Sequence, residues 1–139
     1  MAIFTLTDAY IAVNGVVLSD HSNSVTVEDT RDSVDITAFG ASSKAMTKGL
    51  GDAKITVDFF QDFASGKVHA TLQPLIGSTT GVTIEVRATS SARSATNPAA
   101  LMTGLLMNYN MLAGGIGEAS TITAEFVNSA NAGMTYLTS

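Results

Sequence analysis

The chain has 139 residues, of which 45% are hydrophobic and 14% charged, with two histidines, no cysteine and a net charge of −5. That length suits one domain with a substantial core, and the composition excludes a disordered chain. An acidic balance with pI near 4.7 argues against a protein that grips nucleic acid through a basic face. Without cysteine there is neither a disulfide framework nor thiolate chemistry. The N-terminus lacks the basic and apolar regions of a signal peptide. No apolar run approaches the roughly 18 residues needed to cross a bilayer. The expectation is therefore a soluble, cytoplasmically made protein with no membrane contact.

In chain order, residues 8–18 form two short apolar runs around Asn14-Gly15. This pair predicts a hairpin with a type I′ turn, because both residues tolerate positive φ. After the polar connection 19–24, Val25 and Val27 alternate with Ser24, Thr26 and Glu28, which predicts a half-buried strand. Val34 and Ile36 alternate again beyond Asp29–Ser33. Residues 37–54 are long, polar and rich in Gly, Ala and Ser, with no regular hydrophobic period. They predict an exposed loop, at about 38–53, that something outside the subunit must hold: an assembly arm. Ile55, Val57 and Phe59 then alternate with Lys54, Thr56 and Asp58 as a core strand.

Ser65 predicts a helix N-cap, and Val68, Leu72 and Leu75 form one apolar stripe. Pro74 disfavours helix beyond Gln73, and Gly77 suits the exit. Residues 81–89 alternate strictly, with Val82, Ile84 and Val86 inward. A polar loop closed by Asn97-Pro98 leads to a strand-like run, Leu101–Leu112. Its expected core face is Leu105, Met107, Tyr109 and Met111. Gly114-Gly115-Ile116-Gly117 turns the chain, Ile122, Ala124 and Phe126 form another strand, and 129–133 turn once more before the tail. About seven strands and one helix, joined mostly by turns, predict a mainly β fold: an antiparallel sandwich or barrel with one flanking α-helix, in a single domain over 1–139.

Chemistry is sparse. His21 lies in a polar loop, and His69 edges the helix stripe. There is no G-x-S-x-G elbow to supply a nucleophile. Asp58 and Asp62, on one strand, would stand roughly 13 Å apart, too far for a glycosidase pair. Glu28, Asp29, Asp32 and Asp35 lack the order and glycine of a calcium loop and predict a solvated acidic face. The glycine clusters lack the spacing or lysine of nucleotide-binding loops. Tyr109, Phe59 and Phe126 are in phase with apolar neighbours and predict core, not a stacking platform. No enzyme, cofactor or metal is expected. Phe60, directly after Phe59, should point outward. Met102 and Leu106 make the 101–112 strand apolar on both faces, so Phe60, Met102 and Leu106 become candidates for a subunit interface.

The chain resembles the major tail (tail tube) proteins of long-tailed, non-contractile bacteriophages. The resemblance is carried by Thr37-Ala38-Phe39-Gly40, Gly49-Leu50-Gly51-Asp52, the 55–63 segment ITVDFFQDF with Ser65–Leu75, Asn97-Pro98 and the 114–117 glycine turn. It runs from about Val25 to the C-terminus. It implies a virion structural protein whose six copies form a ring, with rings stacked into a tube that delivers DNA into the host. It also implies homo-oligomeric partners, a tape-measure protein and passing double-stranded DNA in the lumen without specific binding, and tail terminator and tail tip proteins. The expected location is the virion tail, assembled in the host cytoplasm. Phe39, Lys44, Met46, Lys48 and Leu50 would then reach the neighbouring ring. Glu28, Asp29, Asp32, Asp35, Glu85 and Glu125 are candidates for the lumen wall, where acidic groups would repel the DNA backbone. A tail terminator, a head decoration protein or a carbohydrate-binding sandwich are the alternatives; the absence of Trp opposes the last.

Overall fold

Asn14 and Gly15, with φ of 52° and 81°, close a two-residue turn between β1 (Tyr10–Val13) and β2 (Val16–Val17), as expected for Asn-Gly. The computed structural model describes residue 3 and residues 5–139. A 3₁₀ turn, Ser19–His21, leads into β3 (Ser22–Asp35), which pairs along its length with β4 (Met46–Phe60). Helix α1 (Val68–Ile76) follows, then β5 (Val82–Arg87), β6 (Ala99–Tyr109), β7 (Thr121–Asn128) and β8 (Thr135–Leu137). The described strands form one sheet in the order β2-β1-β5-β6-β7-β4-β3, every pairing antiparallel, with β8 beside the start of β6.

One face of this sheet builds the core. Ile55, Val57 and Phe59 from β4 meet Ile122, Ala124 and Phe126 from β7 and Ile84 and Val86 from β5. Ile11 and Val13 from β1 belong to the same cluster, although three strands separate β1 from β4. A sheet whose distant strands share a core must curl around it, with Val68, Leu72 and Leu75 of α1 closing the remaining side. The mainly β, antiparallel, one-helix expectation is met.

Several local expectations need correction. Asp29–Ser33 does not separate two runs: β3 continues straight through it, with a bulge on β4 that sets Gly49 and Leu50 against Asp32. Residues 46–53 are not loop but the first half of β4, so the connection shrinks to 36–45. The helix cap is Lys67, without a side-chain bond; the backbone carbonyl of Asp62 accepts from His69 N at 3.1 Å and serves the first turn instead of Ser65. Pro74 sits inside the helix, which continues to Ile76 and brings Leu75 down onto the core. On β6 the core face is Met102, Gly104 and Leu106, not Leu105, Met107 and Met111. Met107 is the extra residue of a bulge between Leu106 and Asn108, which returns Tyr109 to the core side.

Candidate functional site

The β3–β4 hairpin is longer than the core it grows from. Near its base, Val25 and Val27 pair with Val57 and Ile55 over the core. Beyond Ala53 neither strand buries a side chain, yet the pairing continues to Asp35↔Met46. The turn that closes it is ordered: Thr37 Oγ1 accepts from Ala45 N at 2.8 Å, Asp35 accepts from Thr37 N at 2.9 Å, and Ile36 N donates to Ala45 O. Phe39 lies fully exposed in this turn beside Lys44. Met46 and Lys48 share one face of β4 and Leu50 follows in the bulge opposite Asp32, both apolar members exposed. Neither lysine forms an ion pair among the described residues. Val34 and Ile36 add further exposed apolar surface.

The acidic candidates do not form one patch. Glu28 stands opposite Lys54 on the sheet face turned away from the core, and Glu125 of β7 lies 3.7 Å from the same lysine. Asp58, whose Oδ1 accepts from Thr123 at 2.8 Å, and Asp52 share that face with Thr26, Thr30, Thr56 and Thr121. Sequence reasoning passed over Asp52 and Asp58 for this role; their even spacing with Lys54 and Thr56 was the available signal. Asp35 lies on the other face of β3, in phase with Val25 and Val27, its pKa held below the ordinary carboxylate range by hydrogen bonds from Thr37. Asp29 lies on that same face. Arg31 at 2.6 Å and the Tyr136 hydroxyl at 2.9 Å hold its pKa down. Glu85 is only 13% exposed and sits between Arg93, at 2.7 Å, and Arg87, at 2.9 Å. Arg93 above all depresses its pKa, and Arg87 also stacks 3.8 Å over the Tyr10 ring. Glu85 therefore presents no bare negative charge.

At the opposite end of β4 the chain builds a second surface. His21 lies between two carboxylates, Nδ1 2.8 Å from Asp20 and Nε2 2.8 Å from Asp62. Both ring nitrogens can donate to ionised carboxylates only in the imidazolium form, and these bonds raise the His21 pKa. His69 meets the Tyr109 hydroxyl at 2.7 Å, and Gln61 donates to the same hydroxyl at 3.0 Å. Both histidines thus join segments together: one ties the β2–β3 turn to the β4–α1 connection, the other ties α1 to β6. Around them Phe63, Met111, Leu112 and Ile116 are exposed.

Of the three interface candidates, Phe60 is partly exposed on the outward face of β4 and stays available. Met102 and Leu106 are buried at 1% and 4% exposure and belong to the subunit's own core, so the interface reading of these two is withdrawn. Gly104 between them has no side chain, and a Cβ there would fall 2.7 Å from the Val127 carbonyl, so β6 and β7 close tightly over this face. Phe59 and Phe126 are core, as expected, and Tyr109 is half-buried against it.

The sheet also ends on a free edge. β3 is the last strand in the order, so one side of its 14 residues carries no pairing among the described residues. Acidic side chains such as Glu28, Asp32 and Asp35 are features that keep such an edge from indiscriminate pairing. No helix among the described residues is long and apolar enough to cross a membrane.

No family model matches the chain, and no curated protein is similar to it in sequence. Its fold, however, is shared with solved structures of tail assemblies. A chain from the virion of a native gene transfer agent particle superposes with a TM-score of 0.73 at 9% identity, covering 93% of this chain and 95% of that one. A chain from the tail of an empty gene transfer agent particle, refined with helical C6 symmetry, gives 0.68 at 8% identity, with 92% of each chain covered. A chain from the six-fold symmetrised baseplate of the anti-feeding prophage gives 0.61 at 12% identity, covering 99% and 97%.

Proposed function

We propose that this chain is a non-catalytic structural subunit of a phage-type tail tube, assembling as hexameric rings that stack into a conduit for DNA. The observation that carries the reading is the β3–β4 hairpin: 14 and 15 residues of paired strand, half of it beyond the core, with a free edge and an apolar tip. A lone subunit gains little from ordering such an element, since nothing among the described residues buries its far half. The fold it shares with chains of six-fold tail and baseplate assemblies supports the same reading.

In this arrangement the β3 edge joins the sheet of the next subunit around the ring, as added strands do at exposed edges. The hairpin turn, with Phe39, Lys44, Met46, Lys48 and Leu50, reaches the adjacent ring. The face with Glu28, Asp52, Asp58 and Glu125 lines the bore, softened by Lys54 and a field of threonines. Six chains at −5 each carry a formal −30. An acidic, hydroxyl-rich wall lets the phosphate backbone slide without the contacts that would hold it. A tape-measure protein inside the bore and terminator and tip proteins at the tube ends complete the assembly, placed in the virion tail and built in the host cytoplasm.

Negative-stain microscopy of the purified chain tests the reading. Long hollow tubes are the expected result. Isolated rings that never stack would instead favour a terminator or baseplate subunit, and a persistent monomer at high concentration would overturn the proposal.

A further inference from the structure

We infer that Tyr136 of β8 is a latch that sets the angle at which the β3–β4 hairpin leaves the body of the subunit, and that the hairpin pivots at its root when the latch opens. The latch is a property of the single chain; only its consequence for assembly rests on the tube reading.

Beyond its root the hairpin is free of the sheet. β4 pairs with β7 only over 54–60, so from Ala53 outward β3 and β4 form a two-stranded ribbon with no third strand beside them among the described residues. A ribbon without a wider sheet is weakly held and twists readily. Close to the root the ladder also changes register, between Arg31 and Ser33, and a bulge of this kind bends the strand that carries it. A cavity of about 310 Å³ separates residues 50–53 of the ribbon from the 130–133 turn, so the ribbon bridges a gap there instead of resting on the body.

One side chain spans that region. The Tyr136 hydroxyl donates to Asp29 Oδ2 at 2.9 Å, across 107 residues of sequence. Among the described residues it makes the only side-chain hydrogen bond between 29–53 and the rest of the chain. Tyr136 is anchored to the body because β8 pairs with the start of β6, Ala100 opposite Tyr136. Asp29 is the partner of Ala53, the point on β4 where burial ends. The bond therefore ties the body to the hairpin at its root.

The receiving carboxylate is held in place from the other side. Arg31 Nη1 donates to Asp29 Oδ1 at 2.6 Å and to the Thr30 carbonyl at 3.0 Å. The guanidinium lies over Gly51, where a Cβ would fall 2.5 Å from Nη1. Asp29 thus gives one oxygen to the ribbon and the other to the body, and a hydrogen bond to an ionised acceptor is the stronger kind. Tyr136 is 57% exposed, so removing its hydroxyl leaves the core intact. One bond in contact with water adds little to global stability but is enough to choose between neighbouring hairpin angles.

The test uses the full chain, which has no cysteine and so accepts nitroxide labels cleanly at Ala41→Cys in the hairpin turn and Gln73→Cys on α1. Both positions are exposed. Pulsed dipolar spectroscopy on the dilute, unassembled chain reads the distribution of tip-to-body distances. Tyr136→Phe and Asp29→Ala should each broaden it with melting unchanged, and the double variant should broaden it no further, because both remove the same bond. Asp29→Asn keeps an acceptor for the hydroxyl and should broaden it less than Asp29→Ala. The concentration threshold for tubes should rise roughly three- to tenfold in Tyr136→Phe. A distribution that Tyr136→Phe leaves unchanged would overturn the latch. So would a double variant broader than either single one, since the two side chains would then act separately. A broadened distribution with an unaltered threshold would overturn the link to assembly. A wild type that forms no tubes would overturn the tube reading, and the distances would still decide the latch.

Discussion

The two halves of β4 differ in everything except their hydrogen bonding. From Ala53 to Phe60 every second side chain is sealed in the core: Ala53, Ile55, Val57 and Phe59. From Met46 to Asp52 no side chain is buried, although β3 pairs with both halves, with register shifts only at Ser22/Ser24 and Arg31/Ser33. The near half is held by burial. The far half is held by backbone pairing and a few turn contacts, and its apolar residues face solvent. The lesson is that a strand can be continuous while its reason for existing changes along its length: folding accounts for one half, and in the proposed tube assembly accounts for the other.

The sharpest way to break this comparison is to truncate matched residues on either side. Phe59→Ala should cost about 3–5 kcal/mol in denaturant unfolding, because it empties a fully buried site. Leu50→Ala should stay within about 0.5 kcal/mol while reducing assembly. Equal losses would mean that the far half stabilises the subunit after all. Met102→Ala, at about 2–5 kcal/mol, carries the same logic to β6 and checks its reassignment from interface to core.

Glycine substitutions come next. Gly104→Ala drives a methyl against the Val127 backbone and should destabilise by about 1–3 kcal/mol. Gly51→Ala, on the far half, meets only the movable end of Arg31 and should cost clearly less in the same thermal or urea titration.

Smaller again is the pH response of the near end. His21 has a raised pKa in the folded chain, so its contribution is complete below its ordinary value near 6.5 and is lost as pH rises through the folded value. Asp20, through His21, and Asp62, through Ala64 N and His21, have lowered values, so their share is lost only as pH falls below the ordinary carboxylate range. The melting temperature should therefore decline from pH 6 toward pH 9, and His21→Gln should flatten that decline. An unchanged slope in the variant would show that the imidazolium contributes nothing. The smallest effect on the subunit is expected from Lys44→Glu with Lys48→Glu: unchanged melting, but shorter tubes. Unchanged tube length and yield would remove both lysines from stacking.

The sequence by itself determined the parts in which burial repeats at the period of the backbone. The Asn14-Gly15 hairpin, the alternation of β5 and β7, the near half of β4 and the Val68-Leu72-Leu75 stripe were all legible, because side chains alternate between a core and solvent there. Periodicity records burial, not pairing. The far hairpin buries neither face, so Met46–Asp52 read as loop and Asp29–Ser33 as a gap between two alternating runs, although both belong to paired strands. β6 failed for the opposite reason: Leu101 and Leu105 on one face and Met102 and Leu106 on the other are equally apolar, and only the tertiary packing, with Gly104 closing against Val127, chose the inner face. The charges were visible as residues but not as partners. That Glu85 is matched by Arg93 and Arg87, Asp29 by Arg31 and Tyr136, and His21 by Asp20 and Asp62 was decided by the curl of the sheet, which brings together groups up to 107 residues apart in the chain.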